Sequence, residues 1–265
     1  WNDALPTDDA GNVRAPRHRV LLLLDYAGVT PTDGDRETME TALRSLERAY
    51  AHSARGLLFT VSYSPAYFER VDDDAPVPAP RALAPFEDPA LDAPDVVVHL
   101  ASDTASAVLG AEEALLGEAD SANGVSMDAS LADLVSVVDR RTGFVGAGLP
   151  ADNQGVAGVP DSEPVPDDAP LYMGFKSGFK GNQASEDRVT IRSGRFAGGT
   201  TQHLSHVRLD LNQWYEQDDR YQRVAKMFCP AHAEDGTVEG VGDNLGTASG
   251  MSDCAPADEA ARDRG

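Results

Sequence analysis

Strand-like and helix-like patterns alternate along residues 18–120, and this predicts a mixed α and β fold. Three observations carry the prediction. RHRVLLLLDY at 17–26 is a short apolar run ending in a charge and a Gly turn, the pattern of a buried strand. Apolar residues then recur at helical spacing through DRETMETALRSLERAY at 35–50, and two more apolar runs follow at 55–65 and 95–103. The loop between those two runs, 72–94, is rich in Pro and Asp and too long for a tight hairpin. A βαβ-βαβ and a split βαβ arrangement therefore fit equally well.

In the first helix, Met39, Ala42, Leu43, Leu46 and Tyr50 set one stripe against a sheet. RGLLFTVSYSP at 55–65 is halted by Pro65, which has no amide hydrogen to give to a ladder. DVVVHLASD at 95–103 is the third strand, and Leu109, Leu115 and Leu116 lie on the amphipathic helix after it. ASLADLVSVVDR at 129–140 reads as a shorter helix or a helix-to-strand transition. The Gly-, Pro- and Asp-rich stretch from Gly143 to Pro170 marks a domain boundary, with a first domain over 15–145 and a linker over 146–170. Beyond it, 171–179, 187–193 and 204–211 are strand candidates. NQWYEQDDRYQRVAKMF is then a helix with Leu211, Trp214, Tyr215, Tyr221 and Val224 on its apolar side, capped by Asn212 or Asp210.

The 265 residues suffice for one large domain or two modest ones, so a core needs neither disulfides nor a metal. Asp plus Glu number 44 against 22 Lys plus Arg, for a net charge of -22. Such a chain repels nucleic acid and anionic membrane surfaces. Only Lys176, Lys180 and Lys226 are lysines, and an acidic, lysine-poor surface is that of a salt-adapted protein. No apolar run approaches the roughly 18 residues of a membrane span. The chain opens at Trp1 rather than Met, which fits a leader removed or not included, and GMSDCAPADEAARDRG at the end reads as a helix cut short. Cys229 and Cys254 are too few for a disulfide scaffold; export would permit them to pair, and free thiols fit equally.

The short fingerprints of nucleotide loops, HExxH zinc sites, CxxC motifs and GxSxG elbows are missing. Among the six histidines, His203 and His206 stand three apart, as do Cys229 and His232, a spacing zinc uses. A strand over 204–211 would send 203 and 206 to opposite faces, which argues against one shared ion. The most unusual local chemistry is GFKSGFKGN at 174–182. There Gly174, Gly178 and Gly181 allow close backbone approach to a ligand, and Lys176 and Lys180 form a cationic island suited to a carboxylate or a propionate. A tight turn explains the same glycines. RFAGGTTQH at 195–203 offers another Gly pair flanked by hydroxyls.

Taken in order, these segments resemble the dye-decolourising (DyP-type) haem peroxidases, in an acidic form of the kind found in halophilic archaea. RGLLFTVSYSPAYFERV and DVVVHLASDTASAVLGAEEAL are similar to strand-and-helix segments of the family's first domain, and GFKSG stands where the family has GxxDG. RFAGGTTQHLSHVRLDLNQWYEQDDRYQRVAKMF resembles the family's second-domain opening, with Gly198, Gly199, Arg208, Leu211 and Trp214 matching. The resemblance implies an α+β fold of tandem ferredoxin-like domains in a dimeric α/β-barrel. The second domain, over 171–265, would carry the haem-binding side and be incomplete. It also implies a haem b cofactor whose iron ligand is not identified within this chain. Partners would be hydrogen peroxide and a small reducing substrate, with homo-oligomerisation left open.

By that resemblance Ser177 occupies the distal catalytic position, while Gly174, Lys176, Gly178 and Arg208 fall to the cofactor side. Ser177 departs from the family's aspartate, since a serine hydroxyl cannot serve as a carboxylate proton acceptor. Tyr172, Trp214 and Tyr215 are candidates for electron relay, with core packing the simpler job. The competing reading is a non-catalytic domain pair that binds an anionic ligand or assembles through its sheets. Placement outside the cytoplasm or at the cell surface is expected, with a cytoplasmic address as the alternative.

Overall fold

The structure, a computed structural model, describes residues 4–7, 13–71, 73–155, 169–174, 189–219 and 222–223. The chain divides into two compact units. The first takes in Pro16–Phe144 and Thr190–Gln202; the second takes in the described residues of Asn2–Ala15, Val145–Val189 and His203–Gly265.

The first unit is built on β1 (His18–Tyr26), α1 (Asp33–Ala49), β2 (Leu58–Tyr63), α2 (Pro65–Arg70), β3 (Val96–Ser102), α3 (Ala105–Leu115), the small strands β4 (Ser121–Ala122) and β5 (Val125–Ser126), and β6 (Val135–Phe144). Four strands form one sheet in the order β2-β3-β1-β6, and β4 pairs with β5 in a second, two-stranded sheet. Every neighbouring pair in the larger sheet is antiparallel, although β1 and β2 are joined through a helix. That is the split βαβ arrangement, with β3 inserted between the two strands that α1 connects.

The fold is α+β, and here the expected architecture needs correction. Among the described residues the larger sheet is open, with β2 and β6 as its outer strands, and no sheet closes into the expected α/β-barrel. Nor do the described residues of the second unit build a second ferredoxin-like sheet. Residues 203–210 run without regular structure instead of forming a strand, and the helix expected next is a π-helical turn, Gln213–Gln217, at its start. The Asp210 carboxylate, not Asn212, accepts the Gln213 amide at 3.1 Å. A short α4, Leu149–Asp152, lies inside the expected linker.

Local chemistry explains the elements of the first unit. Thr32 caps α1 by accepting the Asp35 amide, and the Asp35 carboxylate accepts the Thr32 amide in return. Met39, Ala42 and Leu46 of the expected stripe are buried, together with Ser45 and Ala49. Pro65 not only ends β2 but starts α2, because a missing amide costs nothing in a first helical turn and Ser64 supplies the cap. Val20, Leu22 and Leu24 of β1 join Val96, Val98 and Leu100 of β3 in the core, with Val108, Ala111 and Leu115 of α3. Of the leucines expected on this helix, Leu115 is buried while Leu109 faces solvent at 46% exposure. The segment 129–140 is a turn leading into β6, whose bulge lies opposite Leu23 and Leu24.

Residues 190–202 complete the first unit. Ile191 and Gly199 bond through their backbones, and Phe196 meets Phe68 of α2 edge-on at 5.3 Å. The Ser62 hydroxyl donates to Gln202 Oε1 at 2.8 Å, and Arg195 pairs with Asp73. No described helix is long and apolar enough to cross a membrane.

Candidate functional site

Of the residues that the sequence singled out, Gly174 is held in a packed turn of the second unit. Its φ of +76° lies in the left-handed region that glycine tolerates. Its amide donates to the Leu171 carbonyl at 3.0 Å. The Trp214 indole N–H donates to the Met173 carbonyl at 2.9 Å, and the Tyr215 hydroxyl donates to the Tyr172 carbonyl at 2.8 Å. A Cβ on residue 174 would stand 2.6 Å from the Tyr215 hydroxyl oxygen and would displace it from the Tyr172 carbonyl. Burial pushes the Tyr215 phenol up to about 12, and the Arg223 guanidinium lies 5.4 Å from its ring centre. Trp214 and Tyr215 thus clamp the 171–174 turn through its carbonyls, a packing role. Ser177, Lys176 and Gly178 lie outside the described residues, as do Cys229, Cys254 and His232. Arg208 is described and solvent-exposed on the irregular 203–210 stretch, where His203 Nε2 stands 3.0 Å from Ser205 Oγ.

A second arrangement, in the first unit, escaped sequence reading. Strand alternation sends one set of residues to the sheet face opposite α1 and α3. Across that face Thr60, His99 and Leu21 form one row, Leu58, Ala101 and Arg19 the next, and Ser62, Val97 and Leu23 a third. Leu23, Leu58, Val97 and Ala101 are buried; Arg19, Thr60 and His99 are half-buried. Burial, helped by the Arg19 charge, brings His99 down to about 4, and burial also lowers the Arg19 guanidinium below its ordinary value. Both residues were visible inside apolar runs. Their shared face emerges only from the β1–β3 register.

Near the end of β1, Asp95 is buried at 2% exposure and accepts the Tyr26 amide and Arg70 Nε, each at 2.7 Å. It ties α2 and the start of β3 to the end of β1. The Tyr26 hydroxyl donates to Asp35 at 2.6 Å, which with the Thr32 bonds holds the Asp35 carboxyl below the usual carboxylate range. No group of three His, Cys, Asp or Glu side chains among the described residues is placed to hold a metal ion.

The fold defines an α+β protein similar to DyP-type enzymes. A crystal structure of a DyP-type peroxidase from Cellulomonas bogoriensis matches with a TM-score of 0.51 and 20% identity, covering 80% of this chain and 58% of that one. Ferric DtpA from Streptomyces lividans matches at 0.41 with 16% identity, covering 66% and 45%, and a dye-decolorizing protein from V. cholerae at 0.39 with 15%, covering 74% and 55%. The likeness of fold rests on the first of these, and the chain spans 58% of its length. Over residues 16–265 the chain matches the family of unknown function DUF7405, and it belongs to that family. No curated protein matches it.

The described residues do not fit a haem. The open side of Gly174 is filled by Tyr215, and Arg208 lies in solvent. His203 and His206 are exposed on an irregular stretch, and His99 sits beside a guanidinium charge that opposes a ferric ion.

Proposed function

We propose that this chain is part of a DyP-like haem protein that uses hydrogen peroxide to oxidise a small reducing substrate by one electron at a time. The observation that supports this reading is the likeness of fold to the Cellulomonas bogoriensis peroxidase across 80% of the chain. Haem b supplies the redox chemistry in this reading. No described residue is identified as its iron ligand, Lys176, Ser177 and Gly178 lie outside the described residues, and no described residue is assigned a step. Ser177 keeps its proton at working pH, so it can orient a bound oxygen by hydrogen bonding without acting as a base.

The packing of Tyr215 into the space beside Gly174 favours a second reading, a non-catalytic protein that keeps a DyP-like fold for ligand binding or assembly. One absorption spectrum separates the two. The full-length natural protein, purified in molar salt with haem supplied, should show a Soret band that responds to hydrogen peroxide. A protein that is folded and colourless under those conditions would overturn the peroxidase reading and leave the second standing.

A further inference from the structure

Among the described residues β6 is an outer strand of the larger sheet, bonded on one side to β1. Eight of its ten residues are exposed, with Val137, Val138 and Phe144 at 44%, 58% and 64%. Neighbouring residues point to opposite faces, so solvent reaches the strand from both, and its outer edge is accessible to another strand. After the bulge at Val138, alternation sends Asp139 and Arg141 to one face and Arg140 to the other. Arg140 is taken up by Glu112 of α3, which accepts from both Nε and Nη2. Asp139 and Arg141 meet each other at 2.7 Å and still keep 47% and 25% of their side-chain surface exposed.

We propose that β6 is a dimerisation edge, on which β6 of a second copy of this chain pairs antiparallel about a two-fold axis at Arg140. Charge selects both the occupant and the register. A two-fold axis normal to the sheet places one residue opposite itself and sets residues equally far to either side opposite each other. Centred on Asp139 or on Arg141, the axis would put like charges directly opposite, which destabilises a cross-strand pair. Centred on Arg140, it puts Asp139 of each copy opposite Arg141 of the other, twice, while each Arg140 is already neutralised by its own Glu112. The same register sets Val138 of each copy against Thr142 of the other and carries exposed Phe144 toward the Val137 end of the second strand. These charges turn away a strand of unrelated sequence, as edge charges do, and accept one whose charges run in the matching order. The surface lies within the first unit and is independent of the haem reading.

Sedimentation of the chain in molar potassium chloride, which screens the repulsion between two copies of charge -22, should show a dimer with a Kd on the order of 10 μM. Asp139→Arg and Arg141→Asp should each weaken it about tenfold or more, since each turns two attractive pairs into repulsive ones. Mixed in equal amounts, the two variants should recover wild-type affinity as a mixed dimer, because opposite charges then meet in both pairs. Arg36→Asp makes the same change of charge on the exposed side of α1 and should leave the dimer intact. A chain that stays monomeric at concentrations on the order of 100 μM, a dimer that neither β6 variant weakens, a mixture no tighter than either variant alone, or equal weakening by Arg36→Asp would overturn the assignment. If a β6 variant does not fold, amide hydrogen exchange of the wild type decides. Protection over residues 138–142 that rises with protein concentration supports the pairing, and protection independent of concentration overturns it.

Discussion

At the scale of single residues, His99 ties stability to pH. It stands in the middle of β3 with Arg19 on the neighbouring strand, and burial and that charge both bring its folded-state value down from 6.5 to about 4. As pH falls from 6.5 toward 4, the unfolded chain takes up a proton that the folded chain refuses. Stability is therefore full above pH 6.5 and declines across that window by up to about 3 kcal/mol, since each tenfold loss of proton affinity on folding is worth about 1.4 kcal/mol. Urea unfolding in molar salt at a series of pH values should show this decline in the wild type and a flatter profile in His99→Gln. Carboxylates titrate in the lower part of the same range, so the difference between the two proteins is the quantity to read. Identical profiles would mean that His99 is protonated in the folded state.

Elements differ in how much each side chain contributes, and α3 and β1 make the contrast measurable. Leu22 is fully buried between the sheet and the helices, whereas Leu109 is 46% exposed on α3. Leu22→Ala should cost about 2–5 kcal/mol through lost burial and the cavity left behind. Leu109→Ala should stay within about 0.5 kcal/mol, as surface changes do. Equal costs, measured by urea melts, would mean that α3 packs through its other side. The sequence does not assign Leu109 to a face for a physical reason: α3 reads ASAVLGAEEAL, apolar nearly all round, so periodicity does not choose a face. The buried side of α3 carries Ala107, Val108, Ala111, Glu112, Ala114 and Leu115, three of them alanines small enough to admit the helix close to the sheet. β1 and β3 were legible because strands buried on both faces read as unbroken apolar runs. β6 was not, because it is an edge strand carrying Asp139, Arg140 and Arg141, and charge protects an edge while erasing the period-2 signal. The same limit hid Arg19 and Thr60, whose common face depends on a register that no single strand encodes.

For the whole molecule, charge governs the response to solvent. The chain carries 44 acidic against 22 basic groups, and the structure uses arginines such as Arg70, Arg140 and Arg141 to neutralise carboxylates that touch the sheet. The surplus acids are left to repel one another on folding. Salt reduces that repulsion, because the screening length falls from about 10 Å at 0.1 M to about 3 Å at 1 M. The half-buried pairs lose less to screening than the exposed acids gain, so the net effect of salt is stabilising. Thermal melts of the chain should therefore show a midpoint that rises from dilute buffer to molar potassium chloride, by about 2–4 °C for each kcal/mol of repulsion removed in a chain of this size. Repeating the series near pH 5 separates screening from general effects of salt on burial. Partial protonation of the acids lowers the net charge, so a rise caused by screening must shrink there. A rise of equal size at both pH values would assign the effect to strengthened apolar burial, and a midpoint indifferent to salt would mean that the surplus carboxylates are too far apart to destabilise the fold.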